Sequence, residues 1–130
     1  MKRTTLKPEG VAPPGGNYSH GVIVEAGRTL YVAGQVPLDL EGKVVAPGDA
    51  GGQTRQALEN MKRVIEAAGG RMADVAKTTV FVTRLEDRGA IGEARKEFFP
   101  SEPPANTFLV ISSLARPEFL VEIEAVVPLP

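Results

Sequence analysis

Three stretches of this chain are apolar at consecutive positions: Val22-Ile23-Val24, Val80-Phe81-Val82 and Phe108-Leu109-Val110-Ile111. A strand with one wet face alternates apolar and polar residues. Unbroken runs therefore mean burial on both sides. Only two segments read as helices able to supply cover. In "QTRQALENMKRVIEAAGG", Leu58, Met61, Ile65 and Ala68 recur at helical spacing, Glu59 and Arg63 stand at i,i+4, and Gly69-Gly70 stops the run. "EDRGAIGEARKEFF" is a second helix, weakened by Gly89 and Gly92 and ended by Pro100. Two helices cover one face of a sheet and leave the other bare. The expectation is a homo-oligomer whose partner copies cover the second face.

The remaining elements follow from pattern. "HGVIVEAGRTLYVAGQV" predicts two short strands as a hairpin around Ala26-Gly27-Arg28. "LDLEGKVVAPGDAGG" reads as loop. "VAKTTVFVTRL", "ANTFLVIS" and "EFLVEIEAVV" read as strands. The predicted order is β-β-α-β-α-β-β, an α+β chain. Residues 1–130 read as one domain, and residues 1–17, rich in Pro and Gly, as an N-terminal arm. Gly15-Gly16 and Gly51-Gly52 lack the G-x-G-x-x-G context of a phosphate loop and read as turns.

Charge and composition exclude several functions. A net charge of −1 and a pI near 5.9 give no electrostatic footprint for nucleic acid or an anionic membrane. The absence of cysteine removes disulfides, thiolate nucleophiles and cysteine-based zinc sites. A single histidine, His20, cannot build a His-rich metal centre. No cofactor is expected. The chain has no apolar run of membrane-spanning length and opens on a polar segment, so a cytoplasmic location is expected.

The last strand poses a chemical question. Phe119, Val121, Ile123, Ala125 and Val127 form one apolar face, while Leu120, Glu122, Glu124 and Val126 form the other. Two carboxylates at i,i+2 project from the same side. They either pair with cations across strands or between subunits, or serve a site. In a half-buried cleft a carboxylate is a plausible general base.

"GNYSHGVIVEAGRTLYVAGQVPLD", "QTRQALENMKRVIEAAG", "DVAKTTVFVTRLED", "PPANTFLVISSL" and "VEIEAV" together resemble, in order and spacing, the reactive-intermediate deaminase (Rid) family, once labelled endoribonuclease L-PSP. The resemblance spans roughly residues 8–127. It implies a chorismate-mutase-like fold, with two helices on one face of a mixed sheet. It also implies a homotrimeric barrel with clefts between subunits. The reaction implied is cofactor-free hydrolysis of 2-imino acids and their enamine tautomers to 2-keto acids and ammonia.

Carried over by position, the resemblance makes Tyr18 a cleft residue with a catalytic part. It makes Glu122 the group that positions or activates the attacking water. The same positions also show departures. Asn106 stands where the family has its carboxylate-binding arginine, and Phe108 where it has a cysteine or similar small residue. In Ala33-Gly34, Ala33 replaces a serine, and Gly92 replaces an asparagine. Asn106, Phe108, Ala33 and Gly34 are thus the expected substrate-binding positions. Arg116, in the last loop, is a second possible source of cation; such a residue is ordinarily solvated or in a surface ion pair. Asparagine bonds a carbonyl, amide or hydroxyl but cannot supply arginine's bidentate, charge-assisted clamp. That favours a neutral imine or related small C=N compound over a free 2-imino acid. Two function classes stay open: a deaminase-type hydrolase and a non-catalytic trimer binding a small molecule. RNA cleavage is disfavoured by the acidic pI.

Overall fold

The computed structural model describes residues 1–130. Its elements are β1 (Lys2–Leu6), β2 (Gly21–Glu25), β3 (Arg28–Gln35), α1 (Ala50–Ala67), β4 (Lys77–Val82), α2 (Arg88–Phe98), β5 (Ala105–Val110) and β6 (Val121–Leu129). Four strands form a sheet in the order β3-β6-β4-β5, with β4 and β5 parallel and the other pairs antiparallel. The two helices pack on one face of this mixed sheet, the α+β arrangement expected from the sequence.

The first strand was not expected. Within the N-terminal arm, residues 2–6 pair with β2, Lys2 opposite Glu25 through Leu6 opposite Gly21. Arg3 ties this ribbon down by donating to the Val75 carbonyl at 3.0 Å, and Thr5 Oγ1 donates to Glu102 at 2.6 Å. The expected hairpin of β2 with β3 is also corrected. β2 pairs with β1, and β3 pairs with β6. The distant pairing wins because it buries apolar residues. Leu30 and Val32 lie opposite Val127 and Ala125, on the side of the sheet that faces the helices.

Gly51-Gly52 belong to the first turn of α1, not to a turn before it. Asp49 caps that turn by accepting from the Gly52 backbone N–H at 3.0 Å. A methyl group at Gly52 would come within 2.7 Å of Ala46 Cβ, so the close approach of the cap demands glycine. The helix closes in a Schellman motif. Gly70 N donates to the Ile65 carbonyl and Gly69 N to that of Glu66, with Gly69 at φ +85°.

The core lies between the helices and the sheet. Leu58, Met61 and Ile65 of α1 and Ile91 of α2 meet Val80, Val82, Val121, Ile123 and Val127. Each of these nine is at most 1% exposed. Gln53 is fully buried among them and acts as a clamp. Its amide nitrogen donates to the Glu118 carbonyl at 2.9 Å, and its amide oxygen accepts from the Leu120 N–H at 2.8 Å. One side chain thus fixes how the chain enters β6.

Truncating Gln53 to alanine would orphan both backbone groups. A buried group left unpaired costs about 1–3 kcal/mol, and of the two partners Leu120 is half-buried while Glu118 is exposed, so Gln53→Ala is expected to destabilise by about 1–3 kcal/mol. Urea unfolding at fixed protein concentration measures this. A loss under about 0.5 kcal/mol, the range of an ordinary surface substitution, would show that the clamp contributes nothing.

Candidate functional site

Strand register sorts the expected site residues into two groups. On β6, Val121, Ile123, Ala125 and Val127 face the helices, and Glu122 and Glu124 face away. Phe81 of β4 lies opposite Glu122, and Leu109 of β5 opposite Phe81, so these share the outer face. Asn106 lies opposite Thr78 and Phe108 opposite Val80, which places both on the helix face. Within one chain Glu122 and Asn106 therefore point to opposite sides of the sheet.

The outer group is built on a bulge. The β3–β6 register shifts between Val32 and Gln35, where Ala33 and Gly34 lie. The bulge brings the Gly34 backbone under Glu122. A methyl group at position 34 would sit 2.7 Å from the Glu122 carboxyl carbon and closer still to Oε2. Glycine is thus needed to seat this carboxylate, although its φ is not positive. Glu122 is half-buried and makes no ion pair or hydrogen bond within the chain. Glu124 is exposed.

The inner group lines an open cavity of about 400 Å³ between the 15–18 segment, α2 and the free edge of the sheet at β5. Tyr18, Asn106 and Phe108 meet here. A parallel bridge between Ser19 and Ala105 holds the segment in place, and Ser19 N donates to the Pro104 carbonyl at 2.9 Å. The Tyr18 ring meets His20 edge-on at 5.8 Å. His20 itself is exposed, its Nε2 2.6 Å from the Ala12 carbonyl. Arg116 lies apart from both groups. It sits in the exposed loop before β6, with its guanidinium 5.4 Å from the Phe119 ring centre.

Sequence reasoning missed Arg95. It lines the same cavity, is 3% exposed, and has no carboxylate partner. It donates to Thr78 Oγ1 at 3.3 Å and to the Asn17 carbonyl at 3.2 Å, and stands 5.2 Å from the Phe99 ring centre. Burial pushes its pKa down to about 10. Thr78 relays onward, its hydroxyl donating to Asn106 Oδ1 at 2.7 Å. The signal was legible: Arg95 falls four residues after the buried Ile91, on the stripe of α2 that faces the core.

No cluster of three or more His, Cys, Asp or Glu side chains is placed to hold a metal ion. No helix is long and apolar enough to cross a membrane.

Residues 9–128 match the family described as Endoribonuclease L-PSP. Among solved structures, the Rid-family protein YyfB of Yersinia pestis is 36% identical, with a TM-score of 0.91 over 99% of this chain and 100% of that one. RidA from the Antarctic bacterium Psychrobacter sp. is 29% identical, with a TM-score of 0.74 over 97% and 99% of the two chains. A YjgF/YER057c/UK114 family member from Mycobacterium tuberculosis is 27% identical, with a TM-score of 0.70 over 98% and 100%. With the match running from the arm to the last strand, and the likeness to YyfB holding over both whole chains, this chain belongs to the endoribonuclease L-PSP family, that of the Rid proteins.

Proposed function

We propose that this protein hydrolyses a small imine or its enamine tautomer at a cleft shared by two copies of the chain in a homotrimer. The observation that carries the reading is Glu122. Its carboxylate is unpaired and seated on Gly34, on the sheet face that no helix covers. That face also presents Tyr31, 77% exposed, and Leu109, 42% exposed. An apolar face of this kind invites a second copy. Because Glu122 and Asn106 point to opposite sides of one sheet, a complete site needs the Glu122 face of one copy against the Tyr18–Asn106 cavity of another.

In this reaction water adds to the carbon of C=N as Glu122 takes one of its protons. That proton passes to the nitrogen, giving a carbinolamine; the proton of its new hydroxyl then moves to the nitrogen as the C–N bond breaks, so that a carbonyl product and ammonia leave. Tyr18, Asn106 and Phe108 hold the substrate, and Ala33 and Gly34 shape the floor under the carboxylate. No cofactor takes part in this scheme. The acidic pI weighs against RNA as substrate.

Two outcomes are expected. Sedimentation equilibrium gives a trimer, and Tyr31→Glu weakens it by placing a charge in the apolar interface; a stable wild-type monomer would remove the shared site. Ammonia release from imines generated in situ by an amino-acid oxidase reads the chemistry. Glu122→Gln lowers kcat by about 10²–10⁴-fold with the trimer intact, the usual range for a general base. Gly34→Ala lowers it in the same direction by displacing the carboxylate. Turnover undiminished in Glu122→Gln would remove the proposed role. An absence of ammonia from every imine offered would leave a binding protein.

A further inference from the structure

We infer that Arg95 makes the cavity between α2 and β5 a binding site for a small carboxylate, supplying from the helix the cation that Asn106 cannot. For its ligand's identity as a substrate, this rests on the hydrolase reading above; the binding itself does not.

The argument starts from an imbalance of charge. A buried guanidinium without a carboxylate partner is costly, because desolvation of the ion goes uncompensated. Arg95 meets only a hydroxyl, a backbone carbonyl and an aromatic ring. The ring offsets part of the loss. Of five N–H groups on the guanidinium, two have partners within the chain. The cavity wall repeats the bias. Arg88, Arg95 and Lys96 line it against one carboxylate, Glu93, which is already paired with Lys96 at 3.2 Å. In a chain of net charge −1 this is a local excess of positive charge.

The hydrogen bonds set the geometry. Thr78 Oγ1 accepts from Arg95 and gives its own proton to Asn106 Oδ1. The Asn106 carboxamide is thereby oriented, and its NH₂ group has no partner in the chain. Two donor groups, one charged and one neutral, thus border one cavity and are coupled through one hydroxyl. A planar carboxylate can accept from both. Asn17 lines the same wall with its Oδ1 buried and undonated, an acceptor that a ligand N–H would satisfy. A carboxylate with a neighbouring N–H is the complement. The preference for neutral compounds, drawn from Asn106 alone, is reversed once Arg95 is counted.

The test compares isobutyrate with isobutyramide, which has the same shape and no charge, by ¹H–¹⁵N titration of the full-length protein. Neither carries a C=N bond, so binding is read without turnover. Wild type is expected to bind the acid at least ten-fold more tightly, with the largest shift at the Arg95 Nε resonance. Arg95→Met removes the preference and raises the unfolding midpoint, because an unpaired buried charge is gone; Arg95→Lys retains part of the preference. Equal affinity for acid and amide in wild type would overturn the proposal, a result that requires no variant to fold. So would an Arg95→Met protein that binds isobutyrate like wild type while unfolding earlier, which would make Arg95 a structural strut. Intact isobutyrate binding in Glu122→Gln without turnover separates this site from the hydrolytic step.

Discussion

The pairing of β6 between β3 and β4 is the constraint on which the other features depend. This strand runs through the middle of the sheet and serves two environments at once. Its inward residues Val121, Ile123 and Val127 are completely buried against the helices. Burying an aliphatic side chain of this size is worth about 1.5–3 kcal/mol, so three of them pin the register firmly. A slip of one residue would turn Glu122 and Glu124 into the core and Ile123 out of it, at a cost that no local compensation could meet. The position of Glu122 is therefore a consequence of core packing on the other side of the strand. The Gln53 clamp and the Gly34 bulge refine it, one by fixing the entry to β6 and the other by clearing space beside the carboxylate.

The same core generates the tension at α2. The helix packs Ile91 and Ala94 inward, and Arg95 is carried in with them. A methylene-rich side chain suits that position by volume, and its charged end does not. The chain answers with long hydrogen bonds and a ring contact, but no counterion. An uncompensated buried charge lowers stability, and one that borders a cleft is a candidate for a functional role. That the hydroxyl accepting from Arg95 also orients Asn106 links the anomaly of α2 to that of β5.

Much of the fold was legible because it rests on local periodicity. The α1 stripe of Leu58, Met61 and Ile65 and the alternation of β6 are patterns of three or four residues repeated. The strand β1 was not, because "KRTTL" carries few apolar residues and is held by Arg3 and Thr5 reaching distant partners. The β2–β3 hairpin was expected because the two segments are neighbours in sequence; burial against β6 decided otherwise. Gly51-Gly52 read as a turn because glycine is rare inside helices, while here Asp49 and Ala46 leave room for nothing larger at Gly52. Of the candidate site residues, Tyr18, Asn106 and Phe108 converge on one cavity, Ala33 and Gly34 lie in the bulge beneath Glu122, and Arg116 stands apart.

The sequence by itself determined the types of every element but β1, the shortage of helical cover for the sheet, and the alternation that sends Glu122 away from the core. These follow from side-chain period and composition, which need no partner strand to be read. Only the tertiary structure decided which carboxylate has room, which cation is left without a partner, and which side of the sheet each polar residue serves. Those depend on register between strands far apart in the chain. Asn106 and Glu122, sixteen positions apart, fall on opposite faces for that reason, and Arg95 meets Thr78 because a helix and a strand cross there.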